Sequence, residues 1–285
     1  MTMMKKHTVL YSIIILLLFF CFPEVIISSS TSYYFRTLGI NDGLSQSTVN
    51  AILQDQKGFM WIGTKDGLNQ YDGQECRVFQ KENSSLGNNF ITALYEDCEG
   101  YIWVGTDAGV YIYNPVQEAF QFLDTEIASS GEKITRAVTW ITSDSQNNIW
   151  ISVDNQGLFC YNRGKKNLTK VVSCGKSGIA NVTHFWFYAG QLWIARYEDN
   201  LYVSKDNSSF NAFNDVDGED IFKGLVINSY VEGLHNCLYV GTSKGLMEIN
   251  LTSRKVRKLL DEYVRDICFR SDTDLWIGTE QGLYT

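Results

Sequence analysis

The stretch FMWIGTKDGLNQYD at Phe59–Asp72 recurs five times further along the chain. The later copies read YIWVGTDAGVYIYN from Tyr101, NIWISVDNQGLFCYN from Asn148, QLWIARYEDNLYVS from Gln191, CLYVGTSKGLMEIN from Cys237 and DLWIGTEQGLYT from Asp274. Their aligned aromatic residues lie 42, 47, 43, 46 and 37 residues apart. A period of roughly 40–45 residues, with several short strands in each unit, is typical of a β-propeller. The sequence therefore predicts an all-β propeller of about six four-stranded antiparallel blades.

One repeat predicts one blade. In the first repeat we expect strands over Val49–Gln54, Phe59–Gly63, Leu68–Tyr71 and Cys76–Gln80. The second strand of each blade is apolar on both sides, which indicates burial between two neighbouring blades. A small residue follows it in every repeat and predicts a close approach of the next blade. The turn after that strand ends on glycine in five repeats. Asn200 holds the place in the fourth, which suggests that the turn needs a left-handed residue.

The end of the sequence leaves two interpretations of how the ring of blades closes. The sixth repeat stops at Thr285, within its third strand. A lone strand predicted over Tyr33–Leu38 offers one way to complete the last blade. The other interpretation, which the missing polar tail favours, is that the chain is a fragment of a longer protein.

The N-terminus has the layout of a secretory signal. Lys5 and Lys6 precede an apolar run from Val9 to Phe22, and a serine-rich stretch follows. An apolar core of about 14 residues is short for a membrane span of roughly 20. We therefore expect a signal peptide over 1–30 and an exported propeller sensor domain over 31–285. An uncleaved anchor that runs to Ile27 is the alternative.

Composition and motifs exclude several functions. The net charge of −8 argues against nucleic acid as a partner. His184 and His235 are isolated, so no histidine pair has the spacing of a zinc site. Neither a nucleophile elbow nor a phosphate-binding glycine loop occurs. We accordingly expect no cofactor, no metal and no catalytic residues.

The segment Asp42–Gly73 resembles the two-component regulator propeller repeat. Its most specific part reads D-x-x-G-x-x-W-I-G-T-x-x-G-L-x-x-Y-D and runs from Asp55 to Asp72. The second repeat matches well, whereas the fourth departs most, with Ala195-Arg196 in place of Gly-Thr. The resemblance extends over residues 33–285.

The resemblance implies the sensor part of a signalling protein. In that family the repeats form periplasmic sensor propellers of hybrid two-component histidine kinases, many of which detect oligosaccharides. It implies an oligosaccharide ligand, and as partners the remaining propeller and sandwich domains of a longer sensor. It also allows a homodimer formed through parts that this chain lacks. Those later parts include the kinase, so the chain itself is not expected to be an enzyme.

Polar residues at the starts of the inner strands predict where a ligand binds. Loops at one face of a propeller and residues around its axis are the usual ligand positions. Hydrogen-bonding groups beside aromatic rings suit a sugar, and arginines suit an acidic one. The candidate ligand-binding residues are Asn50, Thr92, Arg136, Trp140, His184, Arg196, Tyr197, Asn228 and Arg265.

Two other functions remain open at this stage. One is a propeller enzyme, of the polysaccharide lyase or dehydrogenase type, which needs convergent acid–base or metal groups at the axis. The sequence offers a single axial histidine, His184, and no repeated ring of carboxylates. The other is a passive scaffold for protein interactions.

Overall fold

The computed structural model describes residues 37–171, 182–206, 209–271 and 274–285. All of the described strands lie in one compact unit, Leu38–Thr285. The predicted signal segment 1–30 lies outside the described residues. So does the predicted strand Tyr33–Leu38, apart from its last two residues, which are in no strand. No helix in the described ranges has the length and apolar character to cross a membrane.

The first three blades are four-stranded antiparallel meanders. A 3-10 turn over Ile40–Asp42 precedes them. Blade 1 contains β1 (Val49–Gln54), β2 (Met60–Thr64), β3 (Gly67–Tyr71) and β4 (Cys76–Phe79). Blade 2 contains β5 (Ile91–Glu96), β6 (Ile102–Thr106), β7 (Gly109–Asn114) and β8 (Ala119–Phe122). Blade 3 contains β9 (Val138–Ser143), β10 (Ile149–Val153), β11 (Gly157–Asn162) and β12 (Asn167–Lys170).

The last three blades repeat this plan. Blade 4 contains β13 (Val182–Tyr188), β14 (Gln191–Arg196), β15 (Leu201–Ser204) and β16 (Asn211–Ala212). Blade 5 contains β17 (Ile227–Glu232), β18 (Cys237–Thr242), β19 (Gly245–Asn250) and β20 (Lys255–Leu260). Blade 6 contains three strands, β21 (Val264–Phe269), β22 (Leu275–Thr279) and β23 (Leu283–Tyr284). The prediction of a six-bladed propeller is therefore confirmed, and β1 has the predicted bounds.

The hydrophobic core lies between neighbouring blades. One buried cluster joins Trp103 of blade 2 to Val138 and Phe159 of blade 3. As predicted, the repeat tryptophans fill these layers: Trp61, Trp103, Trp150 and Trp193 are 1%, 2%, 4% and 2% exposed. Trp276 of blade 6 is only half-buried.

In blades 1 and 2 the small residue two positions after the repeat tryptophan brings two blades into contact. A Cβ atom added at Gly63 would lie 2.6 Å from Ile91 Cγ2, and one added at Gly105 would lie 2.8 Å from Val138 Cγ1. In both pairs the second residue begins the inner strand of the next blade. Since real Cβ atoms do not approach this closely, only glycine fits without a shift of the neighbouring blade.

Blade 6 lacks such a neighbour among the described residues. The only atoms near a Cβ at Gly278 belong to the Asp266 backbone, the closest at 3.5 Å. Val49, which begins the inner strand of blade 1, is 40% exposed. The residues that begin the other five inner strands are at most 4% exposed: Ile91, Val138, Val182, Ile227 and Val264. Blades 1 and 6 are thus not packed against each other as the other neighbours are.

The prediction for Asn200 is wrong. The glycines of the other turns do adopt positive φ, as at Gly67 with φ 124°. In blade 4 the left-handed residue is instead Glu198, with φ 48°. Asn200 is buried and hydrogen-bonds the Asp220 carboxylate. Its side chain, rather than its backbone conformation, accounts for its place in the repeat.

Candidate functional site

The inner strands of the six blades surround a channel of about 560 Å³. Each inner strand carries a register shift between its first and third residues, as between Val49 and Ala51 of β1. A bulge of this kind breaks the alternation of side chains between the two faces. Residues at the second and third positions therefore both line the channel in five blades, whereas in blade 4 only the third residue, His184, does.

The channel brings together six of the nine predicted ligand-binding residues. These six are Asn50, Thr92, Trp140, His184, Asn228 and Arg265. The other three do not line it. Arg136 is exposed on the loop before β9, and Arg196 and Tyr197 lie at the end of β14 and in the turn that follows. The channel also contains residues that were not predicted, namely Ser229, Tyr230, Glu232 and Asp266. Alignment of the third residue of each inner strand would have found Ser229 and Asp266.

Two of the predicted asparagines hold neighbouring blades together. Asn50 Nδ2 donates to the Ile91 carbonyl at 2.8 Å. Asn228 Nδ2 donates to the Val264 carbonyl at 2.7 Å. Each bond runs from the second residue of one inner strand to the first residue of the next. A structural role thus accounts for part of the polar character on which the site prediction rested.

His184 combines such a bond with a polar atom that has no partner. Its ring is hydrogen-bonded to the Ile227 backbone, and burial lowers the pKa of His184 to about 4. The imidazole is therefore neutral at pH 7. One ring nitrogen donates to the carbonyl of Ile227, which leaves Nδ1 as a hydrogen-bond acceptor. No acceptor or donor among the described residues pairs with Nδ1.

Three more buried polar atoms on the channel wall lack partners in the described part of the chain. They are Thr92 Oγ1, Trp140 Nε1 and Ser229 Oγ. The rings of Trp140 and His184 lie 4.7 Å apart at 55°. A buried polar atom left unpaired costs about 1–3 kcal/mol. The four atoms come from blades 2 to 5, so unpaired polar groups are spread around most of the channel.

Two carboxyl groups complete the channel lining. Burial raises the pKa of Asp266 and the pKa of Glu232 above their ordinary values. Tyr230 also lines the channel, with its ring stacked on Trp186, and burial raises the pKa of its hydroxyl. The channel thus offers both hydrogen-bond donors and acceptors, without a concentration of positive charge.

Two of the three predicted arginines are engaged in local ion pairs. Arg265 Nη2 lies 2.9 Å from Glu280 Oε1, and the guanidinium lies 5.4 Å from the centre of the Tyr263 ring. Arg196 Nη1 lies 2.9 Å from Asp199 Oδ2. The described residues contain no cluster of three or more metal-ligating side chains.

The fold and the repeats define a class of protein, the β-propellers, and blades 1, 2 and 6 carry the sequence W-[IV]-G-T. A family model for the two component regulator propeller matches residues 43–66, 85–108 and 258–281. The matched segments assign these repeats, by similarity, to the two-component regulator propeller type.

Solved structures and a curated relative agree with this assignment. The extracellular domain of a putative hybrid two component system from B. thetaiotaomicron is 26% identical, with a TM-score of 0.72 over 87% of this chain and 34% of that one. "Histidine kinase P4" from Formosa agariphila is 42% identical over 50 residues, which are 18% of this chain and 4% of that protein. This chain thus spans about a third of that extracellular domain and a small part of the kinase.

The propeller fold is also found in an enzyme. Virginiamycin B lyase from Staphylococcus aureus has a TM-score of 0.61 at 12% identity, over 82% of this chain and 78% of the lyase. Because the sequences are so different, this likeness concerns the fold alone.

Proposed function

We propose that the unit Leu38–Thr285 is the exported ligand-sensing module of a two-component signalling protein and that it binds a small oligosaccharide in the central channel. The observation that carries the proposal is the set of four buried polar atoms, one from each of blades 2 to 5, that lack partners among the described residues and belong to residues lining the channel. Ligand pockets are mostly apolar, with a few convergent polar groups of this kind.

The chemistry of the wall fits a sugar. A sugar hydroxyl both donates and accepts, so a single one can accept from Trp140 Nε1 and donate to His184 Nδ1. The tilted rings of these two residues also offer an aromatic surface to a sugar ring. The part of the channel beside Trp140 and His184 has no unpaired cation among the described residues. We therefore infer that the sugar bound at this place is neutral.

The signalling role rests on the relatives. This propeller is 26% identical in sequence to part of the extracellular domain of a putative hybrid two component system. In our proposal the apolar N-terminal segment directs export to the periplasm, and a kinase elsewhere in a longer protein receives the signal. The propeller itself binds without altering its ligand.

An enzyme is the second candidate, because His184, Glu232 and Asp266 line the same channel. A general base works best when its pKa lies near the operating pH. His184, with a pKa of about 4, is a weak base at neutral pH. This favours binding over catalysis, and product analysis by mass spectrometry after incubation with the bound sugar distinguishes the two.

Isothermal titration calorimetry against a panel of neutral oligosaccharides tests the proposal. For a sugar that binds, we expect Trp140→Phe to weaken the affinity about five- to tenfold, as for the loss of one hydrogen bond. Tyr197→Ala is the matched control, because Tyr197 is 54% exposed and lies outside the channel. It should leave the affinity unchanged.

Three results would contradict the proposal. The first is that no sugar of the panel binds. The second is that Trp140→Phe leaves the affinity unchanged. The third is that the protein converts the bound sugar into a product.

A further inference from the structure

The repeat tryptophans of blades 1 to 3 share a hydrogen bond that blade 4 lacks. In these three blades an aspartate opens the turn between the first two strands and accepts a bond from the indole of the repeat tryptophan. The Oδ2–Nε1 distances are 2.8 Å for Asp55 and Trp61, 2.8 Å for Asp97 and Trp103, and 2.9 Å for Asp144 and Trp150. The bond satisfies an N–H group that is otherwise buried without a partner.

Blade 4 makes this turn with fewer residues. Tyr188 pairs with Gln191 across a two-residue turn at Ala189 and Gly190, so no aspartate is present. Trp193 is 2% exposed, and its Nε1 has no hydrogen-bond partner among the described residues. Blade 4 thus retains the indole N–H donor but lacks the aspartate carboxylate that accepts the hydrogen bond in blades 1 to 3.

A cavity of about 700 Å³ lies at this place. Trp193 and the shortened turn at Ala189 line it on the side of blade 4. The turn between β19 and β20 of blade 5 supplies Arg254 to the opposite side. Lining residues from both blades show that the cavity lies between them, apart from the central channel.

The cavity wall carries cationic groups without a carboxylate partner. The Arg254 guanidinium lies 5.2 Å from the centre of the Phe213 ring, and no ion pair of the described residues includes it. Lys205, also in the lining, is exposed and equally absent from these ion pairs. The one acidic side chain of the wall, Asp206, already accepts bonds from Ser204 and Ser209. The wall therefore favours an anion.

We propose that this cavity binds a small organic carboxylate. One carboxylate oxygen accepts the Trp193 indole N–H, in the place that an aspartate side chain holds in blades 1 to 3. Arg254 pairs with the same group, and the aromatic rings of Tyr188 and Phe213 border the rest of the ligand. The site is separate from the channel and does not depend on what the channel binds.

Calorimetry with two carboxylates and their neutral counterparts tests this site. The probes are benzoate and glucuronate, compared with benzyl alcohol and glucose. We expect at least one carboxylate to bind and its neutral counterpart not to bind. Arg254→Gln should weaken carboxylate binding about tenfold or more, as expected for a charged hydrogen bond. Trp193→Phe, which removes the indole donor, should weaken it about fivefold.

Arg257→Gln is the matched control. Arg257 lies on the same blade, but it pairs with Glu248 outside the cavity. Its replacement should leave carboxylate binding unchanged, and so should Trp140→Phe in the channel. If neither carboxylate binds, if the neutral counterparts bind equally well, or if Arg254→Gln and Arg257→Gln behave alike, the proposal is overturned. Arg254 is at the surface, so this comparison holds even if Trp193→Phe fails to fold.

Discussion

At the scale of single residues, His184 connects the packing of the propeller with its candidate function. One ring nitrogen bonds to the Ile227 backbone of the next blade, and the other faces no partner in the described structure. The sequence indicated His184 as an axial residue because it follows the start of an inner strand. It could not show the neighbouring carbonyl, since that contact depends on how two blades approach each other.

The buried imidazole should make stability depend on pH. Burial lowers the pKa of His184 from 6.5 to about 4 in the folded chain. Below pH 6.5 the unfolded chain binds a proton that the folded chain does not, so stability is full above this pH and falls as the pH drops toward 4. The total loss from this group should be on the order of 3 kcal/mol.

Urea denaturation at a series of pH values measures this effect. His184→Gln, which keeps a donor but does not titrate, should lose less stability than the wild type between pH 6.5 and 4. Parallel pH profiles for the two proteins would show that His184 is not buried as a neutral ring.

At the scale of strands and blades, the repeat pattern was enough to predict most of the fold. The predicted bounds of β1 agree with the structure, those of β2 are shifted by one residue at both ends, and those of β3 and β4 differ by one residue at one end. The repeat pattern predicts the strands well because each strand is packed between two blades. Its residues are therefore apolar on both faces, and this can be read directly from the sequence. The bulge in each inner strand was not predicted, because a register shift arises from pairing with the next strand. This bulge explains why Ser229 and Asp266 line the channel.

The contact between neighbouring blades gives a second prediction. Gly105→Ala would place a Cβ 2.8 Å from Val138 Cγ1 and force blade 3 to shift. Overpacking of this kind typically costs about 1–3 kcal/mol. Gly278→Ala is the matched control at the equivalent position of blade 6, where the nearest atom is 3.5 Å away.

We expect the free energy of unfolding to fall clearly for Gly105→Ala and little for Gly278→Ala. An equal loss at both positions would show that blade 6 is packed as tightly as the others.

At the scale of the whole domain, the flank between blades 1 and 6 is the exception to regular packing. Val49 on one side is 40% exposed, and Leu283 of β23 on the other is 48% exposed. Every residue of β22 is only half-buried, whereas β6 and β10, its equivalents in blades 2 and 3, are buried throughout. Exposed strands with apolar side chains promote association with other chains.

We therefore expect concentration-dependent self-association of this chain in analytical ultracentrifugation. Leu283→Lys should reduce it, because it places a charge on the exposed strand. Val116→Lys is the control, since Val116 is 89% exposed in a turn of blade 2, away from this flank. If both variants reduce association to the same extent, the flank is not the surface responsible.

The central claim is that the channel of this propeller binds a sugar. The most direct measurement is a crystal structure of the chain with the tightest-binding oligosaccharide from the calorimetric panel. We expect an intact sugar in the channel, with a hydroxyl within hydrogen-bond distance of both Trp140 Nε1 and His184 Nδ1. A sugar bound elsewhere, with only water beside these two atoms, would contradict it.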